Sequence, residues 1–166
     1  MTSGGWTDPN LITTGNRAIF GSVGSAGISS SDRTIPAQSS GIVYVQFLAN
    51  FGNDGSGGTP HLRFRNTETN NWSLLAGGFD ASGYKWGMWD TANTYMTSTS
   101  SNTLRFVIIR FDFENTNTKM WVDPDLSTFD YSNPTNPDTT SPLANSFNRL
   151  DIYLRTYNDP GIDEIH

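Results

Sequence analysis

Four stretches of the chain alternate apolar and polar residues with a period of two: Ile42 to Phe51, His61 to Arg65, Leu104 to Glu114, and Arg149 to Tyr157. Successive side chains on a strand point to opposite faces, so this alternation predicts strands with one buried face. No stretch of comparable length keeps a 3.6-residue period, which predicts an all-β body almost free of helix. In the first stretch Val43, Val45, Phe47, Ala49 and Phe51 share the expected core face, and Tyr44, Gln46, Leu48 and Asn50 form a mixed outer face. In the second, Leu62 and Phe64 point inward, and His61, Arg63 and Arg65 outward. The third is apolar on both faces through its first half, which predicts a central strand covered on both sides. In the fourth, Leu150, Ile152 and Leu154 face inward while Arg149, Asp151, Tyr153, Arg155 and Tyr157 face out.

Turn residues divide the rest. The first forty residues are rich in Gly and Ser and predict short edge strands and loops, and Gly52 to Thr59 predicts a loop. Trp72 to Ala76 and Tyr84 to Trp89 read as two further strands separated at Gly77-Gly78. Asn115 to Thr118 is a turn into Lys119 to Asp123, the predicted hairpin partner of the central strand. Pro124 to Pro142 holds Pro124, Pro134, Pro137 and Pro142 and no period, so it reads as a long surface excursion whose length invites a functional role. Ile162 to Ile165 is a short closing strand.

The order of these blocks carries a resemblance. A long apolar strand ending in acidic residues, then Trp121-Val122-Asp123-Pro124, a variable loop, an amphipathic strand and Ile162-Asp163-Glu164-Ile165 resemble the LamG-like domains of secreted bacterial proteins, over roughly residues 41 to 166. The resemblance implies an all-β, antiparallel β-sandwich of the jelly-roll, concanavalin A-like type, with residues 1–166 forming one domain. It also implies an extracellular setting and binding of glycans or proteins more often than catalysis. Such domains continue past the point where His166 stands, so a closing strand cut short, or one supplied by a neighbour, is expected.

At 166 residues the chain is long enough to bury a core without covalent staples. It has no cysteine, which excludes disulfides, thiolate metal sites and thiol nucleophiles. A net charge of −6 opposes nucleic acid and anionic lipid as general partners. The N-terminal Met1-Thr2-Ser3-Gly4-Gly5 has neither the charged nor the apolar region of a leader, and no apolar run approaches the ~18 residues of a span, so a soluble protein is expected.

Catalytic groups are scarce. A retaining glycosidase needs two carboxyls ~5 Å apart, and among the three glutamates only Glu114 alternates with a second acid, Asp112, at the end of the central strand. His61 beside Arg63 and Arg65 offers a faint lyase-like set, without the accompanying motifs of alginate lyases. With His61 and His166 as the whole complement, neither a His-supported triad nor a three-His zinc site assembles. Calcium is the one ion expected, as a structural cofactor held by carboxylates in loops, with Asp123, Asp125 and Asp163 as first candidates beside Asp130 and Glu164.

The sharper signal is aromatic and arginine placement. Sugars present apolar CH faces edged by hydroxyls, which rings and short polar groups match. Tyr84, Trp86 and Trp89 cluster in sequence, and Arg63, Arg65, Tyr153 and Arg155 fall on expected outer faces. Arginine outnumbers lysine eight to two, and its planar fork suits carboxylate or sulfate. The sequence therefore predicts a non-catalytic extracellular module binding a polysaccharide or glycan through these seven residues. The competing expectations are an adhesive domain that joins other chains through edge strands and, third, a jelly-roll lyase or glycosidase.

Overall fold

The period-two stretches fold as strands of two stacked sheets. A computed structural model describes residues 18–19, 28–50, 61–69, 71–79, 85–90, 93–155 and 161–163, with backbone alone at 18–19, 28–31, 71–72, 79, 154–155 and 161–163. In chain order the strands are β1 (Ala18–Ile19), β2 (Ile28–Gln38), β3 (Ile42–Asn50), β4 (His61–Asn66), β5 (Asn71–Phe79) and β6 (Lys85–Trp89). They continue with β7 (Thr94–Ser100), β8 (Arg105–Asp112), β9 (Asn117–Val122), β10 (Thr139–Ser141), β11 (Phe147–Arg155) and β12 (Gly161–Asp163). One sheet has the order β1-β12-β3-β8-β9-β10 and the other β2-β11-β4-β5-β6-β7. All neighbours are antiparallel. Among the described residues there is no helix, so the protein is the expected antiparallel jelly-roll sandwich.

The inward halves of the strands form the core. Val45, Phe47 and Ala49 of β3, Leu62 and Phe64 of β4, and Ile109 and Phe111 of β8 meet between the sheets, with Val43 packed against them. Phe51 lies outside the described residues. Phe64 contacts Phe111 and Phe147 edge-on, with centroids 4.9 and 5.1 Å apart. Burying each such ring contributes about 1.5–3 kcal/mol, which is why alternation dictates which way every strand faces.

β8 is apolar on both faces because it is covered on both. On the outside, Phe106 and Ile108 join Leu48 and Trp121 in a second cluster, against which Tyr44, Leu126 and Phe129 pack. Leu126 and Phe129 come from the proline-rich excursion, which therefore lids the outer face of this sheet. It is tied down at several points. The Trp121 indole N–H donates to the Thr135 carbonyl at 2.8 Å, and the Tyr44 hydroxyl donates to the Tyr131 carbonyl at 2.6 Å. Asp138 donates its backbone N–H to Met120 O at 2.9 Å and accepts from Val122 N–H at 2.8 Å. Asp125 and Asp130 each accept from the backbone N–H and hydroxyl of the serine two residues on, Ser127 and Ser132, forming consecutive side-chain-closed turns. Far from being patternless, the excursion also contributes β10.

Three features depart from expectation. β5 runs through Gly77 and Gly78, because pairing with β4 on one side and β6 on the other supplies the ladder that the glycines lack in side-chain packing. β7 has no apolar alternation. It forms at the sheet edge on Thr and Tyr, whose side chains suit a pleated surface. Trp86, expected as a sugar contact, is 0% exposed and packs on Phe47 at 6.1 Å between centroids. It alternates with Gly87 toward the core alongside Met88, so no face of its ring is open to a ligand.

Candidate functional site

The outer face of the β2-β11-β4-β5-β6-β7 sheet gathers most of the expected contacts. Register places them in rows. Tyr153 of β11 lies opposite His61 of β4, which lies opposite Gly77 and then Gly87 and Met96. The adjacent row runs Asp151, Arg63, Leu75, Trp89, Thr94. Arg63 and Trp89 are thus two strands apart, about 10 Å, with Leu75 as an apolar floor between them.

At one end of these rows three side chains form a single stack. The Arg63 guanidinium carbon sits 3.3 Å from the centroid of the Tyr153 ring, a cation–π contact. The His61 ring lies nearly parallel to Tyr153, 4.9 Å away at 23°. Arg63 Nε–H donates to His61 Nε2 at 3.0 Å. Desolvation pulls the Arg63 guanidinium below its ordinary pKa, while Tyr153 and Asp151 offset part of that. His61, expected as an exposed histidine, is only 5% exposed, with Arg63 and Tyr153 among the groups against it.

A second layer holds the arginines. Asp151 is 3% exposed and accepts from Arg65 Nη1 at 3.1 Å and from Arg149 Nε at 2.6 Å. Arg149 also reaches Asp32 of the edge strand at 3.1 Å. Arg65 is therefore part of a cross-strand network as well as of the outer face. Counting Lys85, this face carries four cations against Asp32 and Asp151 among the described residues, the reverse of the chain's overall sign.

The remaining expected contacts divide. Trp89 is half-buried on the outer face of β6, two strands from Arg63. Arg155 ends β11 on the same strand as Tyr153, its backbone opposite Ile28, and its side chain lies outside the described residues. Tyr84 lies outside them altogether. His61 itself was weighed in the sequence only as a catalytic base; its role as the seat of Arg63 needed the pairing of β4 with β11, which periodicity does not encode.

The acids do other work. Asp123 takes a left-handed backbone, φ 53°, a conformation that Asp tolerates better than most residues. Its carboxylate accepts from Arg105 at 2.6 Å and from Phe106 N–H at 2.9 Å, and its own N–H donates to Phe106 O. It clips the start of β8 to the end of β9. Asp125 closes its own turn, and hydrogen bonds from Ser127 hold its carboxyl below the usual range. The side chain of Asp163 lies outside the described residues. Among the described residues, no three His, Asp or Glu side chains converge as a metal site would need. A cleft of about 360 Å³ opens beside Trp121 and Phe129 under the excursion, but its Asp123 is the clip between β8 and β9, and its Asp125, Asp130 and Asp138 hold the excursion itself.

The carboxyl pair considered for hydrolysis is not a pair. β8 ends at Asp112, and Glu114 lies in the following exposed turn. Asp112 is 3% exposed and accepts from Asn115 N–H and Nδ2 at 3.0 Å each, with Arg110 Nη2 at 2.8 Å. Burial pushes its carboxyl up, but the Asn115 and Arg110 bonds outweigh this and hold it below the usual range. A carboxyl lowered on folding stabilises above its unfolded value of about 3.9 and loses that contribution as pH falls through the folded one. Thermal melts from about pH 6 down to about pH 3 should therefore fall more steeply for the wild type than for Asp112→Asn, which lacks the titration.

A solved structure of similar fold is the galectin LEC-6 of Caenorhabditis elegans, with a TM-score of 0.46 over 89% of this chain and 95% of that chain at 7% identity. No family model matches the chain. No curated protein matches it. Among the described residues, no helix is long and apolar enough to cross a membrane.

Proposed function

We propose that the protein is a non-catalytic binding module that takes carbohydrate on the outer face of the β2-β11-β4-β5-β6-β7 sheet. The observation that carries this is the Arg63–Tyr153–His61 stack facing Trp89 across Leu75. A ring and a planar, oriented guanidinium on one rigid sheet supply the two things a pyranose needs, an apolar platform and directed hydrogen-bond donors. The excess of cations on this face favours sugars bearing carboxylate or sulfate over neutral ones. An extracellular polysaccharide is the ligand class this reading implies, with Arg155 and Tyr84 as further contacts. Calcium is proposed only as a structural ion near Asp163, outside this face.

The test is titration calorimetry against polygalacturonate, chondroitin sulfate, β-glucan and galactan. Saturable binding to at least one, weakened about tenfold or more by Trp89→Ala, supports the reading. Binding to none of them, or binding that Trp89→Ala and Arg63→Ala leave unchanged, contradicts it. A second reading, assembly through an edge, is favoured by β7, whose seven residues include neither charge nor proline. Sedimentation showing concentration-dependent oligomers, with no sugar bound, would support that reading instead.

A further inference from the structure

The excursion from 123 to 138 lies between β9 and β10, on the opposite sheet from the stack. A connection of this length held in one shape is more often functional than a plain link. Bonds fix it to the sheet: the Trp121 indole holds the Thr135 carbonyl, and the Tyr44 hydroxyl holds the Tyr131 carbonyl. The cleft of about 360 Å³ beneath it falls within the ~300–1,000 Å³ of small-molecule sites. Phe129 supplies a half-buried ring wall. Apart from Trp121, Val122, Pro124 and Phe129, every lining residue carries an amide, hydroxyl or carboxylate. The aromatic surface continues past the rim, where the Tyr131 ring meets Phe129 edge-on with centroids 4.8 Å apart. Tyr131 is 41% exposed, the most exposed ring among the described residues.

We infer that this cleft is a second binding site, for neutral oligosaccharides, with one sugar ring against Phe129 and the next stacked on Tyr131. A pyranose offers apolar CH faces to rings and hydroxyls to acceptors, and both are present here. The lining contains four aspartates and no cation, and Arg105 from outside the lining pairs with Asp123 alone. The cleft therefore repels the carboxylated and sulfated sugars that suit the outer face of the other sheet. Asp130 accepts the backbone N–H and hydroxyl of Ser132 at Oδ1, which aims the carboxylate and leaves acceptor capacity at its second oxygen. Those Ser132 bonds hold its carboxyl below the usual range, so it stays an acceptor in mild acid. The Asn133 backbone N–H donates to the Asp130 carbonyl at 3.2 Å, which places a side-chain amide able to donate and accept on the lining. These turns are closed by the protein's own bonds, so a ligand orders little on binding.

The test is amide NMR on the full chain with cello-, manno- and galacto-oligosaccharides, and with galacturonate and glucosamine oligomers as charged counterparts. At least one neutral oligomer should shift Phe129, Asp130, Asn133 and Asn136 saturably. Tyr131→Ala should weaken that binding about fivefold or more, and Trp89→Ala should leave it unchanged. Tyr131→Ala keeps the backbone carbonyl that Tyr44 holds, and an unchanged denaturant midpoint verifies its fold. Should that midpoint fall, Asn133→Ala, which also keeps its backbone bond, decides in its place by the same weakening. No cleft shift with any neutral oligomer overturns the proposal, as does an equal shift with the galacturonate oligomer. A glucosamine oligomer that binds more tightly than its N-acetylated form overturns it too, by showing a site for cations. Cleft binding that survives Trp89→Ala upholds this site whether or not the other face takes sugar, and cleft shifts lost in Trp89→Ala contradict it.

Discussion

Trp86→Ala should remove about 3–5 kcal/mol of folding stability, the cost of deleting a fully buried tryptophan and leaving a cavity. A domain of this size holds about 5–15 kcal/mol in total, so the variant should melt far below the wild type or fail to fold. Trp86 is 0% exposed and its ring abuts Phe47 on the opposite sheet, so it helps fasten one sheet to the other. Trp89→Ala, three residues on and on the outer face, should cost about 1 kcal/mol or less while weakening sugar binding. Denaturant midpoints at unchanged slope measure both. Near-wild-type stability of Trp86→Ala would mean that Trp86 is not in the core.

Those two tryptophans mark where the sequence was legible. Alternation located β3, β4, β8 and β11 and their inward residues, because burying a whole face is worth many kcal/mol and a one-residue slip would expose it. It could not say whether Trp86 or Trp89 faced in, since Lys85-Trp86-Gly87-Met88-Trp89 puts an apolar residue on both faces. The pairing of β6 with β5 and β7 settled it. β7 and β10 escaped notice because they lie at or near sheet edges, where Thr and Ser satisfy the backbone without an apolar stripe. The excursion looked irregular because its order comes from side-chain-to-backbone bonds of Asp125, Asp130, Asp138 and Trp121, which have no period. Of the site, Arg63, Arg65 and Tyr153 were visible as outward residues. Their grouping with His61 was not, for β4 and β11 are some ninety residues apart and only the sheet order joins them.

Asp151→Ala should also be costly, by about 3 kcal/mol, the lower end of what breaking a buried ion pair costs, because Arg65 and Arg149 both keep some contact with water. The loss has a second consequence. Arg65 would lose its ion pair to β11, and Arg65 lies on the same strand as Arg63. Asp151→Asn, which keeps the shape and one acceptor, should recover part of the stability. Urea unfolding of the wild type and the two variants gives the comparison, and equal midpoints would show that the carboxylate is not the hub of this face.

The central claim is that ligand meets the protein on the outer face of the β2-β11-β4-β5-β6-β7 sheet. Amide and side-chain NMR shifts recorded as the best-binding polysaccharide is added test it most directly. The account predicts changes concentrated at His61, Arg63, Leu75, Trp89 and Tyr153, and little at Trp121, Phe129 and Asp138 under the excursion. Changes confined to the excursion and its cleft, with Arg63 and Trp89 unmoved, would contradict it.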